Sequence, residues 1–303
     1  MEGIVVKSTG ASHTVLTNEK KKYDCTLRGK FRIEGLNATN PIAVGDHVDV
    51  EFDEQQQKGV INKIHQRKNY IIRKAISVAN QVHVIASNVD LAILVATPNA
   101  PKTSSGFIDR FILAAESHNV PVNIIFNKKD IYNSKHLAQV EAWMELYKSI
   151  GYFNINISSI DNSQIKEVCN MIHGKVCLIA GNSGVGKSTI LNNLLPKLEI
   201  PVSPISDYTG KGIHTTSFVE MYKMDEEGTF LIDCPGLKEL GIINLERYEI
   251  SHFFKEMRPM IGQCKFSNCF HINEPQCAII NALKTGKIHQ SRYKNYVSIL
   301  ESV

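Results

Sequence analysis

The run Gly181-Asn182-Ser183-Gly184-Val185-Gly186-Lys187-Ser188-Thr189 constrains this chain more than any other stretch. It fits G-x-x-x-x-G-K-[ST], follows the apolar run Lys175-Val176-Cys177-Leu178-Ile179-Ala180, and precedes the helix-forming Thr189-Ile190-Leu191-Asn192-Asn193-Leu194-Leu195. That context is strand, loop, helix, and it demands a buried strand feeding a helix N-terminus. Successive backbone N–H groups of such a loop face one anion, and the helix dipole adds positive charge there. The fold must therefore contain a parallel α/β layer, and the loop should cradle phosphates. Lys187 is expected at the β- and γ-phosphates, as a catalytic residue together with Thr215 and Thr216 of the switch, with the Ser188 hydroxyl on Mg²⁺.

Two further motifs flank this loop. Asn127-Lys128-Lys129-Asp130 follows the strand-like Val122-Asn123-Ile124-Ile125-Phe126. A carboxylate at Asp130 can accept from N1–H and the 2-amino group of guanine, whereas adenine offers an acceptor at N1 and would leave it unpaired. Such a site rejects the wrong base by about 10⁴-fold or more. Asn127 would hold the pocket together, the Lys128 stem would lie over the ring, and Ser158 and Ser159 suit a loop near O6. Downstream, Asp233-Cys234-Pro235-Gly236 ends the strand-like Thr229-Phe230-Leu231-Ile232. Asp233 could hold Mg²⁺ through water, and the Gly236 N–H could meet a γ-phosphate. Between them, residues 208–217 are polar and glycine-bearing, which suits a switch in which Thr215 or Thr216 completes the Mg²⁺ shell. GTP and GDP are the expected ligands. Ras-like GTPases run cradle, sensor, guanine reader; here the reader comes first, so the order is circularly permuted. Leu237 stands where a Ras-like enzyme has its water-orienting glutamine, so hydrolysis is expected to be slow until a partner completes the site, and no general base is assigned.

Cys264, Cys269, His271 and Cys277 fall within fourteen residues with C-x₄-C-x-H-x₅-C spacing. Three thiolates and an imidazole make a closed tetrahedral shell, which is a structural rather than a catalytic zinc site. Zinc binding worth about 10 kcal/mol or more could organise a loop too small to fold alone. His252 and His289 lie outside this compact run.

The remaining pattern divides the chain. Residues 3–7, 13–17, 26–32, 46–52 and 59–64 are β-rich and separated by turn signals, which predicts a small barrel of the oligonucleotide-binding type over residues 1–66, with an SH3-like barrel as alternative. Residues 66–74 read as a basic connector. Strand-like runs then alternate with helices at 108–117 and 137–150, implying βαβ units over residues 67–244. A helix around 245–257, the Cys/His loop and a helix over 278–300, with Gly286 a possible break, make a mainly helical unit over residues 245–303. The chain has 303 residues, 43% hydrophobic and 21% charged, with seven cysteines and a net charge of +4. Residues 1–74 carry 13 Lys/Arg against 9 Asp/Glu and residues 246–303 carry 8 against 5, while residues 75–245 carry 13 against 16. The basic ends suit a polyanionic partner. Scattered, odd-numbered cysteines, no apolar run of about 18 residues and no signal-like start predict a cytoplasmic, reducing location and no membrane partner.

Taken together, Asn127 to Asp130, the Gly181 loop, Gly212-Ile213-His214-Thr215-Thr216, Asp233 to Gly236, the Cys264/Cys269/His271/Cys277 spacing and Arg292-Tyr293-Lys294-Asn295-Tyr296 resemble the ribosome small subunit-dependent GTPase family, circularly permuted GTPases of bacteria. The resemblance covers nearly the whole chain. It implies an N-terminal OB domain, a permuted GTPase, a C-terminal zinc domain, and a role in late maturation of the 30S subunit, bound with its rRNA, with hydrolysis stimulated by that subunit. The expected form is a monomer. Two positions depart from the family: Asn244 stands where many members carry a histidine proposed for catalysis, and the switch reads His214-Thr215-Thr216-Ser217 where many end in a third threonine. Two rival readings remain at this level: an ATP-dependent P-loop enzyme such as a small-molecule kinase, and a zinc-bearing nucleic-acid binder with a purely regulatory nucleotide site.

Overall fold

The computed structural model describes the chain except residue 11, residues 29–37, 54–57, 75–80, 197, 199–218 and 235–244. Thr215, Thr216, Gly236, Leu237 and Asn244 lie outside the described residues.

The N-terminal barrel consists of β1 (Glu2–Thr9), β2 (Ser12–Thr17), β3 (Lys22–Leu27), β4 (His47–Asp53) and β5 (Lys58–Ile64). The strands run in the order β1-β2-β3-β5-β4 and close through β4 onto β1, with β3 and β5 parallel and the other pairs antiparallel. Alternating side chains, Val5, Val15, Cys25, Val48, Val50 and Ile61, fill the interior, as the period-two pattern requires. Full closure removes exposed strand edges. The stretch 66–74 is more than a connector: β6 (Tyr70–Lys74) pairs antiparallel with β7 (Val82–Ser87). The basic residues had masked the Tyr70-Ile71-Ile72 strand signal.

The central sheet uses β8 (Leu91–Ala96), β9 (Val122–Phe126), β10 (Asn154–Asn156), β11 (Val176–Gly181), β12 (Glu220–Lys223) and β13 (Phe230–Asp233). Its order is β10-β9-β8-β11-β13-β12, parallel except for β12. β8 is buried along its whole length, as expected of a strand covered on both faces. The helices α1 (Ser105–Glu116), α2 (Ser134–Ser149), α3 (Asn162–Ile172) and α4 (Lys187–Leu194) connect these strands. The cradle strand β11 thus sits mid-sheet, between the first central strand of the chain, β8, and the last, β13. The ends of β9, β10, β11 and β13 all open on one edge, where ligands bind in such sheets.

The barrel continues this sheet through one register pair, Lys7 with Glu220, reinforced by an ion pair at 3.5 Å. A second fastening is buried. The Asp46 carboxylate accepts from Arg67 at 2.6 Å, from the Ser87 hydroxyl at 2.6 Å and from the Ala43 N–H at 2.8 Å.

The C-terminal segment ends in α5 (Ala278–Lys284) and α6 (Gln290–Glu301). Gly286, at φ +75°, ends the first and lets the chain turn into the second. The stretch 245–257 forms no α-helix: it holds a 3₁₀ run at Arg247–Phe253 that stops at Phe254. The apolar spacing suits a helix, but the short segment packs Ile250, Phe254 and Met257 inward in tighter turns. Among the described residues, no helix is long and apolar enough to cross a membrane.

Candidate nucleotide and metal sites

Gly181 closes β11 opposite Val95, with φ +149°. A Cβ there would lie 2.3 Å from the Val95 carbonyl oxygen, so only glycine lets the loop leave the sheet here. Asn182, Ser183, Gly184 and Val185 form the loop; Val185 is buried and Gly184 takes φ +80°. Gly186 caps α4 at φ +99°, and a Cβ on it would meet Asn127 Nδ2 at 2.3 Å. Lys187, Ser188 and Thr189 form the first turn of α4. The Lys187 ammonium donates to the Gly181 and Asn182 carbonyls, each at 2.9 Å, so it lies back along the loop. Burial pulls its pKa below the usual lysine value, and Asp233 pulls it up again. Asp233 is 2% exposed and ends β13 in register with Ile179.

The guanine-reader motif meets this loop directly. Asn127 is fully buried and donates through Nδ2 to the Val185 carbonyl at 2.8 Å and to Ser159 Oγ at 3.1 Å. Its Oδ1 accepts from the Ser159 N–H at 2.9 Å. One side-chain amide therefore ties together three loops that are far apart in sequence. Lys128 takes the left-handed conformation, φ +70°, and donates from Nζ to the Ala100 carbonyl at 2.6 Å. Burial lowers its pKa while Asp130 raises it. Asp130 is exposed, and its Oδ1 accepts from the Ser158 hydroxyl.

Three participants escaped sequence reasoning. The Ala100 carbonyl anchors Lys128. The Tyr132 hydroxyl donates to the Asn127 carbonyl. Gln164 accepts from the Ser158 N–H at 2.8 Å. Nothing local marks these residues; each matters through a partner brought in by the sheet.

In the C-terminal segment the ligand atoms of Cys264, Cys269, His271 and Cys277 all lie within 4.8 Å of one another. His271 Nδ1 is 3.3 Å from Cys277 Sγ and 3.5 Å from Cys264 Sγ, and the latter two sulfurs are 3.8 Å apart. A tetrahedron with Zn–S bonds of about 2.3 Å has S···S edges of about 3.8 Å, so the four side chains fit zinc. Backbone N–H groups of Ala278 and Ile280 point at Cys264 and Cys277 sulfur, at 3.4 and 3.5 Å, as they would at thiolates. Burial pushes the Cys269 thiol up to about 12, a cost that a cation at the centre would offset. Glu274 accepts the N–H groups of Phe270, Ile272 and Asn273 at 2.7–3.0 Å and so holds the intervening turn. His289 instead caps α6, accepting from the Ser291 N–H at 3.2 Å.

Comparison with known proteins decides the family. A family model for the RsgA GTPase matches residues 64–243, and one for the RsgA N-terminal domain matches residues 2–61. The chain belongs to the RsgA GTPase family. It is 44% identical over 99% of its length to the small ribosomal subunit biogenesis GTPase RsgA of Flavobacterium psychrophilum, covering 93% of that protein. It is 43% identical, also over 99%, to the protein of that name from Phocaeicola vulgatus, covering 96% of it. The crystal structure of YjeQ from Thermotoga maritima superposes with a TM-score of 0.78 at 33% identity, covering 99% of this chain and 97% of that one. YloQ, described as a circularly permuted GTPase, gives 0.72 at 28%, covering 99% and 94%. In this chain too the motif order is permuted, with Asn127 to Asp130 ahead of the cradle.

Proposed function

We propose that this chain is a GTP-hydrolysing factor that binds the small ribosomal subunit and acts in its biogenesis, late in maturation, with hydrolysis stimulated by the subunit. The observation that carries the nucleotide reading is the Asn127 amide on the Val185 carbonyl at 2.8 Å, which makes the reader and the cradle one pocket. Family membership supports the subunit as partner.

In this reading the amides from Gly181 to Thr189 surround the phosphates. Lys187 leaves the Gly181 and Asn182 carbonyls to reach the β- and γ-phosphates, its charge favoured by neighbouring Asp233. Asp130 selects guanine, Lys128 covers the base, and the Ser158–Ser159 loop closes its edge. Ser188 and Asp233 would hold Mg²⁺, which neutralises charge on the phosphate oxygens when bound. Thr215, Thr216 and Gly236 are the proposed switch contacts. Because Leu237 carries no group that can orient water, the isolated chain hydrolyses slowly. The zinc cluster supplies structure and no chemistry. The chain acts as a cytoplasmic monomer, divided near residues 66 and 244, and its basic ends face rRNA.

The test is GTP turnover with and without purified 30S subunits. Stimulation of at least tenfold is expected, and Lys187→Ala should abolish it. Equal rates with and without subunits, or full activity in the variant, would refute the assignment.

A further inference from the structure

We propose that Gln164 is a positioning residue for guanine selection, acting through the loop that aims the Asp130 carboxylate. The inference rests on the nucleotide reading above and concerns how that pocket discriminates.

Asp130 sits on an exposed 3₁₀ turn, Lys129–Ile131, where a short carboxylate side chain has free rotamers. To accept from both N1–H and the 2-amino group of guanine, its plane must be fixed before the base arrives. Ser158 does this by donating its hydroxyl to Asp130 Oδ1. Ser158 lies past the end of β10. Backbone pairing reaches Ile157, whose N–H goes to Phe126 at 2.8 Å and whose carbonyl accepts from Lys129 at 3.1 Å. The Ser158 carbonyl accepts from the Asp161 N–H at 3.0 Å, but the Ser158 N–H has no backbone partner among the described residues. The partner that fixes this N–H therefore has to come from elsewhere.

Gln164 supplies it. From the first turn of α3 its Oε1 accepts the Ser158 N–H at 2.8 Å, while its Nε2 donates to Asp161 Oδ2 at 2.8 Å. Asp161 is itself fixed as the N-cap of α3, its Oδ1 accepting the Ser163 N–H at 2.9 Å and hydroxyl at 2.7 Å. The neighbouring residue is held separately, since the Ser159 N–H goes to Asn127 at 2.9 Å. A side chain that accepts at one end and donates at the other is needed between an amide N–H and a carboxylate. Glutamine offers both, whereas glutamate would set a second negative charge against Asp161. The relay runs from the α3 cap through Gln164 and Ser158 to Asp130.

Released from this relay, Asp130 can still meet N1–H but no longer holds both donors. The loss should fall on the 2-amino group, which inosine lacks. The experiment titrates the full chain with GDP, IDP and ADP by calorimetry. The wild-type chain should prefer GDP over IDP, and Gln164→Ala should weaken GDP by about tenfold, the scale of one charge-assisted hydrogen bond, while leaving IDP nearly unchanged. In the Ser158→Ala background, Gln164→Ala should produce no further loss of the GDP-to-IDP ratio. An unchanged ratio in Gln164→Ala, equal weakening of both nucleotides, or additive losses with Ser158→Ala would overturn the proposal. A wild-type chain that does not distinguish GDP from ADP removes the guanine reading itself, a failure visible before any substitution is made.

Discussion

His13 shows how a single side chain sets a condition on the fold. It is 2% exposed in the barrel, shares a hydrogen bond with the Ser8 hydroxyl at 3.0 Å, and its Nε2 has no partner among the described residues. Burial holds its pKa below the usual 6.5, with Asp46 pulling the other way; burial also lowers His83, helped by Arg73, and His118. A histidine kept neutral in the fold gains a proton on unfolding below about pH 6.5. Its stabilising effect is therefore complete above that pH and is lost as pH falls from there toward the depressed folded value. The melting midpoint should drop between pH 7 and pH 5, and His13→Gln should flatten part of that slope; an identical slope in the variant would remove His13 as a cause. At this scale the candidate site was largely legible. Gly181, Lys187, Asn127 and Asp130 belong to local patterns whose backbone geometry is fixed by near neighbours. Gln164 and Tyr132 were not legible, because a glutamine on a helix or a tyrosine after a turn gains meaning only from a long-range partner.

At the scale of elements, the contact between α1 and α6 joins the central sheet to the C-terminal segment. Arg292, 1% exposed, donates to Asp109 at 2.5 Å and holds Glu256 in a bidentate pair at 2.6 and 3.1 Å. Asp109 also accepts from the Tyr147 hydroxyl at 2.7 Å and from Asn295 at 2.6 Å. Burial pushes the Asp109 carboxyl up; Arg292, Asn295 and Tyr147 pull it down, and this set of donors favours the ionised form. Burial likewise opposes the charge on Arg292, but its two carboxylates hold its pKa above the ordinary arginine value. Removing one partner strands buried charge. Arg292→Ala should cost about 3–5 kcal/mol in urea unfolding, and the Arg292→Ala/Asp109→Ala pair should cost less than the sum of its single changes. Additive costs would show that the two do not interact. The sequence offered Arg292 only as part of a familiar closing run. Its role was hidden because Asp109 is 183 positions away. The 3₁₀ run at 247–253 was misread for a related reason: apolar spacing does not separate an α-helix from tighter turns when packing decides.

Across the whole molecule, permutation places Asp233, at the proposed γ-phosphate sensor, between two anchored units. The barrel joins the sheet at β12, and β12 leads through β13 to Asp233, so the strands around the proposed γ-phosphate sensor also carry the barrel seam. The C-terminal segment is bound instead to α1, which lies between β8 and the guanine reader. Nucleotide-driven motion should accordingly shift the barrel relative to a central body that carries the zinc cluster with it. The three-part architecture was legible from changes in hydrophobic period along the chain. The β6–β7 hairpin was not, since charged residues diluted its pattern. All of this depends on one pocket assembled from stretches 58 positions apart, Asn127 and Val185. The most direct test is nucleotide preference after Asp130→Asn, which replaces an acceptor-only carboxylate with an amide that can donate to the 2-oxo group of xanthine. GTP affinity should fall by about two orders of magnitude or more while XTP affinity rises above it. Undiminished GTP binding by the variant, with XTP still rejected, would contradict the account.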